Sequence, residues 1–170
     1  MSRSGSRSSA KARSSRSCSS RARRRRGLKL RERALNLLAR REHSRVELAR
    51  KLAPHGDPDE VAVLLDDLEQ ENLLSNARYA ESLAHTRAGR HGSLRLKADL
   101  RDKGVPEVVI SQVVSEARAL DLAAAREVWA KKFSQLPRDA AERAKQMRFL
   151  ASRGFPADIV RRVVGGSDDD

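Results

Sequence analysis

The sequence predicts an all-α protein: three tandem three-helix repeats forming an elongated, curved rod behind a disordered basic N-terminal tail. Two observations carry this prediction. Leu52, Gly56, Pro58, Val61 and Leu65 recur as Leu100, Gly104, Pro106, Val109 and Val113, and again as Leu150, Gly154, Pro156, Ile159 and Val163, with no gap inside any copy. The copies lie 48 and 50 residues apart, and a chain written this way stacks similar units into an extended surface rather than enclosing one pocket. The second observation is that helical spacing recurs along the chain, while no window alternates apolar and polar residues as a half-buried strand does.

Each anchor of the repeat has a mechanical role. The Leu ends the apolar face of one helix, and the Gly four residues later suits the left-handed conformation that closes a helix. The Pro two residues beyond presets φ for the first turn of the next helix, where its missing N–H costs nothing. Val105 and Phe155 precede their prolines, are biased toward extended backbone, and aim an apolar side chain from a stiff corner. Asp57 holds that position in the first copy and caps the next helix, with Glu60 completing a capping box.

The first repeat, residues 28–74, opens with a helix marked by Leu30, Ala34, Leu37 and Leu38, and Ser44 with Glu47 forms a capping box for a short helix through Leu52. In the second repeat, residues 75–120, either Ser75 or Asn76 is the N-cap. Tyr79, Leu83 and Thr86 line one helix, and Leu94, Leu96 and Leu100 the next. The third repeat, residues 121–164, starts with Val128, Trp129 and Phe133, turns at Pro137, and continues through Ala140, Ala144, Met147 and Leu150. Nine helices and no sheet are expected. Trp129 and Phe133, one helical turn apart, read as core residues, because the chain has only three Phe, one Tyr and one Trp to fill its cores.

The net charge of +13 is unevenly distributed. Residues 1–26 hold nine Arg, one Lys and no acid, so they carry +10 and leave +3 for the remainder. That Arg/Ser-rich tail, residues 1–27, has too little apolar surface to offset its ordering entropy and reads as disordered, either a phosphate-binding arm or a solubilising extension. It lacks the amphipathic face of an organellar leader and the apolar stretch of a secretory one. Residues 44–74 hold eight acids and three bases, residues 85–104 six bases and two acids, and residues 121–164 ten bases and five acids. The first repeat is therefore acidic and the other two basic, ahead of a short acidic tail at 165–170. Lys97 and Arg101 stand one turn apart just after Arg87, Arg90 and His91, and Arg138, Lys145 and Arg148 share a face opposite Ala140, Ala144 and Met147. The alternative for these stripes is a solvated helix face trimmed by pairs such as Arg95 with Asp99.

Catalytic chemistry finds no pattern. His43, His55, His85 and His91 have no zinc-like pairing, no phosphate-cradling glycine loop is present, and the single Cys18 excludes a disulfide framework. No cofactor and no metal are expected. No apolar run is long enough to span a bilayer, and a reducing cytoplasm is the expected compartment.

Three segments together resemble the RecX regulators of the RecA recombinase: Leu73-Leu74-Ser75-Asn76-Ala77-Arg78-Tyr79-Ala80, the stretch from Gly92 to Val105 reading GSLRLKADLRDKGV, and Arg153-Gly154-Phe155-Pro156-Ala157-Asp158-Ile159-Val160. The resemblance covers about residues 28–164. The family usually carries Asp where this chain has Asn76, which leaves a helix-capping role intact, and the Arg/Ser tail is outside the family pattern. It implies a non-enzymatic regulator that binds along the groove of the RecA–single-stranded DNA filament and restrains ATP hydrolysis, strand exchange and coprotease activity; separately from the resemblance, a monomer is expected. Single-stranded DNA would be met through the filament or the basic tail. The residues assigned to filament contact are Arg87, Arg90, Arg95, Lys97, Arg101 and Lys103 in the second repeat and Arg138, Lys145, Arg148 and Arg153 in the third. The competing class is a helix-turn-helix protein that binds DNA directly. It would need an exposed recognition helix, whereas the segments Val108–Val114 and Ile159–Val164 are short and largely apolar.

Overall fold

A computed structural model describes residues 27–133 and 135–165. The Arg/Ser tail through residue 26 and the acidic residues after 165 lie outside the described residues. Those described form eight α-helices, one 3-10 turn and no strand. Helix α1 runs from residue 27 to 38, followed by α2 (Arg45–Leu52), a 3-10 turn (Ala53–His55), α3 (Pro58–Gln70), α4 (Asn76–Arg87), α5 (Ser93–Asp102), α6 (Glu107–Lys132), α7 (Ala140–Ser152) and α8 (Ala157–Gly165). The nine helices expected from the repeat become eight because the third helix of the second repeat and the first of the third run on as α6. Nothing between Val114 and Trp129 stops a helix: Ser-Glu-Ala-Arg-Ala-Leu-Asp-Leu-Ala-Ala-Ala-Arg-Glu-Val has no Gly or Pro and is rich in strong helix formers.

The described chain divides into two compact units. One holds residues up to 41 together with 48–73, and α1, the end of α2 and α3 build it. Leu30, Ala34, Leu48, Leu52, Val61, Leu64, Leu65 and Leu68 are its buried apolar residues, and Arg31 pairs with Glu71 across it. The Asp57 side chain accepts from the Asp59 N–H at 3.1 Å and caps α3, as its position before Pro58 predicts. Gly56 departs from the expectation. Its φ is −150°, extended rather than left-handed. Pro54 has no N–H to continue the α pattern, so α2 passes into the 3-10 turn before reaching Gly56. Gly56 instead lies close under Leu30: a Cβ there would be 2.8 Å from Leu30 Cδ2, so that side chain would have to shift to admit one.

The other unit holds residues 42–47 and everything from 74 onward. It contains two apolar cores that share α6. The N-terminal half of α6 contributes Ile110 and Val113 to a core with Tyr79, Ala80, Leu96, Leu100 and Val105. Its C-terminal half contributes Ala125 and Val128 to a core with Leu150, Phe155, Ile159, Val160, Val163 and Val164. Trp129 packs against the second core and donates its indole N–H to Gln146 Oε1 at 2.8 Å, while Phe133 meets Phe149 edge-on. Gly104 (φ +66°) and Gly154 (φ +82°) adopt the left-handed conformation. Each sits in the paired-bond closure that the repeat predicts, with Val105 N–H donating to Leu100 C=O and Phe155 N–H to Leu150 C=O. Ser75, not Asn76, caps α4, accepting from the Arg78 N–H at 3.3 Å.

Candidate basic surface where the second and third repeats meet

The corner between α4 and α5 and the corner between α7 and α8 touch through their backbones. Gly92 N–H donates to Arg153 C=O at 3.0 Å, and Leu94 N–H donates to Gly154 C=O at 3.1 Å. Glycine on both sides permits this approach: a Cβ on Gly92 would lie 2.3 Å from Gly154 O, and one on Gly154 2.4 Å from Arg95 Cβ. Because the residues flanking these glycines are basic, the contact gathers cations. Arg87 ends α4, Arg90 and His91 lie in the loop, Arg95 is in the first turn of α5, and Arg153 follows α7.

One carboxylate organises part of the cluster. Asp99 binds Arg87 Nη2 at 2.9 Å and Arg95 Nε at 3.1 Å, and Arg153 lies over the Phe149 ring, its guanidinium carbon 5.2 Å from the centroid. The four arginines therefore outweigh Asp99 by three charges. His91 adds none: burial first, then the fields of Arg87, Arg153 and Arg95, hold its imidazole below its ordinary value, against a weaker opposing pull from Asp99. Its Nδ1 is shielded and has no hydrogen-bond partner among the described residues. The surface is suited to oxyanions, carboxylate or phosphate, that meet several guanidinium groups at once. Beside it, a cavity of about 310 Å³ opens between α4 and α6, with an aliphatic lining that includes Ala84, Leu96, Val113, Ala117 and Leu120.

Of the ten residues assigned to partner contact, the structure brings together Arg87, Arg95 and Arg153, with Arg90 in the same loop. Lys145 and Arg148 are exposed on α7, the helix that Arg153 follows, and make no ion pair among the described residues. The other four are engaged elsewhere. Arg101 forms a two-pronged bond to Glu107 (3.1 and 2.7 Å), Lys97 Nζ lies 3.8 Å from the same carboxylate, and Arg101 foremost holds Glu107 below its ordinary value. Lys103 Nζ is 3.8 Å from Asp102, and its carbonyl accepts from Ser44 Oγ at 2.7 Å. Arg138 does not share a helix face with Lys145 and Arg148, because α7 starts at Ala140 with Asp139 as its cap. Arg138 instead donates its backbone N–H to Glu142 Oε2 at 2.9 Å.

Sequence reasoning missed two features. The meeting of Arg95 with Arg153 depends on a backbone contact, which leaves no pattern beyond the two glycines. Asp121, 2 % exposed, accepts from both the N–H (3.0 Å) and the Oγ (2.5 Å) of Ser93. Its signal was available, since an acid four and seven residues before Ala125 and Val128 falls on the apolar stripe of α6. Among the described residues no group of three or more His, Cys, Asp or Glu is placed to hold a metal, and no helix is long and apolar enough to cross a membrane.

Three family descriptions match the chain in order: RecX, first three-helix domain, at residues 31–68; RecX, second three-helix domain, at 75–114; and RecX, third three-helix domain, at 119–164. The regulatory protein RecX of Ralstonia nicotianae is 49% identical over 142 residues, covering 83% of this chain and 89% of that protein. That of Leptothrix cholodnii is 50% identical over 142 residues, covering 83% and 90%, and that of Pseudomonas putida KT2440 is 44% identical over 144 residues. The crystal structure of RecX from Lactobacillus salivarius aligns with a TM-score of 0.68 at 21% identity, over 83% of this chain and 96% of that one, and shares its fold.

Proposed function

The chain belongs to the RecX family of regulatory proteins, and from that premise we propose that it is a non-enzymatic inhibitor of the RecA recombinase. It acts in the cytoplasm as a monomer and binds along the groove of the RecA–single-stranded DNA filament. There it restrains ATP hydrolysis, strand exchange and coprotease activity. The observation that carries this reading is family membership across 83% of the chain, with relatives named as regulatory proteins.

The basic surface supports a definite division of labour. Arg87, Arg90, Arg95 and Arg153, extended by Lys145 and Arg148, meet acidic protomer surface or filament phosphates, while the acidic first repeat meets basic protomer surface. Contacts made to neighbouring protomers at once oppose the relative motion that hydrolysis and strand exchange require. The test is RecA ATPase on single-stranded DNA, titrated with the full chain and with a version starting at Gly27. Both are expected to inhibit, the second showing how much the Arg/Ser tail adds. Absence of inhibition by either would overturn the proposal. Tight, steeply salt-dependent binding to bare duplex by the shortened version would favour a direct DNA-binding protein instead.

A further inference from the structure

Two hydrogen bonds in different repeats have the same form. The N–H of Arg45, which opens α2, donates to Asn76 Oδ1 at 3.0 Å, and the N–H of Ser93, which opens α5, donates to Asp121 Oδ1 at 3.0 Å. The donors correspond, being 48 residues apart as Leu52 and Leu100 are. So do the acceptors: Asn76 lies four residues before the fully buried Ala80, and Asp121 four before the fully buried Ala125. Neither acceptor caps its own helix, since Ser75 caps α4 and Asp121 is inside α6. Each instead satisfies the first N–H of the second helix in the preceding repeat, a group that no intrahelical carbonyl can reach.

A second contact accompanies each of these bonds. Ser44 Oγ donates to Lys103 C=O at the first site, and Gly92 N–H donates to Arg153 C=O at the second. Ser44 and Gly92 correspond in the repeat, as do Lys103 and Arg153. At the second site the two contacts hold opposite sides of the basic surface: the start of α5, with Arg95 and the Arg87–Asp99 pair, and the α7–α8 corner, with Arg153.

We propose that Asp121 is the positioning residue of the basic surface, resting on the reading that this surface contacts the filament. By accepting both hydrogen bonds of Ser93, it pins the start of α5 to α6 and so fixes Arg87 and Arg95 opposite Arg153. Asn76 performs the same pinning without charge, so acceptance of the N–H, rather than the negative charge, is the operative property. A buried carboxyl on the apolar stripe of α6 is costly to desolvate, and the two hydrogen bonds from Ser93 offset that cost.

The experiment compares the full chain with Asp121→Ala and Asp121→Asn by amide hydrogen exchange and by the concentration that half-inhibits RecA ATPase. Asp121→Ala is expected to speed exchange at Ser93 and Gly92 by about tenfold or more while Leu150 and Val160 stay protected, and to raise the half-inhibiting concentration by a similar factor. Asp121→Asn is expected to restore both. Faster exchange in the Ala variant with unchanged inhibition overturns the positioning role, and unchanged exchange overturns the pin itself. If the Ala variant does not fold, the Asn variant decides: a folded Asn variant that leaves the Ser93 amide unprotected or fails to inhibit overturns the proposal. Failure of the unaltered chain to inhibit strikes the proposed function instead, and the exchange result stands apart from it.

Discussion

At the scale of single residues, the same amino acid does different work at neighbouring corners. Gly89 and Gly154 both have left-handed backbone, with φ of +69° and +82°, but a Cβ on Gly89 meets nothing within 4 Å, whereas one on Gly154 runs into Arg95. Gly89→Ala should therefore lose only the conformational penalty, about 1 kcal/mol, and Gly154→Ala clearly more, about 3 kcal/mol or above, read from thermal or urea unfolding. Equal losses would contradict the backbone contact. Gly104 and Gly154 were legible in the sequence because the repeat places them at helix ends; Gly56 was not, because Pro54 diverts the helix before it. Asn72, with φ +59°, closes α3 by the same paired bonds without a glycine. Asp121 is tested by pH. Burial pushes its carboxyl above the ordinary range, opposed by hydrogen bonds from Ser93 and the charge of Arg118 and reinforced weakly by Asp158. A raised folded-state value means that this group's contribution to stability is present below the unfolded value of about 3.9 and lost as pH rises through the folded value. The Tm advantage of Asp121→Asn should thus widen as pH rises through that window and then level off, and a gap that does not change with pH would contradict the assignment.

At the scale of elements, most helices followed from caps and apolar spacing: Ser44 and Asp57 each supply the cap that the pattern predicts, and Ser75 is the one of two candidates that caps α4. The exception was α6. A repeat of three helices invites a break near residue 120, yet local propensity prevails because nothing there ends a helix, and about 39 Å of continuous helix serves two cores. Exposed Ala119, in the middle of α6, provides the test. Ala119→Gly should cost about 1 kcal/mol and Ala119→Pro about 3 kcal/mol or more in urea unfolding. A neutral proline there would restore the reading of two separate helices. The candidate site was half legible at this scale: helical spacing located Lys145 and Arg148, but could not show that Glu107, at the start of α6, occupies Arg101 and Lys97.

At the scale of the whole molecule, charge is divided unevenly among the repeats. The three repeats share a Leu-Gly-Pro skeleton in sequence, and their charge differs sharply: acids are concentrated in residues 44–74, and arginines gather around His91 and Arg153 in the second and third. Division of the charge was readable from sequence; the convergence of Arg95 and Arg153 from separate repeats was not, because it depends on how two corners dock. The central claim is that this convergent surface grips the RecA filament. Its most direct measurement is RecA ATPase on single-stranded DNA, titrated with the unaltered chain and with a variant carrying Lys145→Glu, Arg148→Glu and Arg153→Glu, its fold verified by circular dichroism. These substitutions should raise the half-inhibiting concentration by about tenfold or more, with the difference shrinking as salt increases. A folded triple variant that inhibits as well as the unaltered chain at every salt concentration would contradict the account.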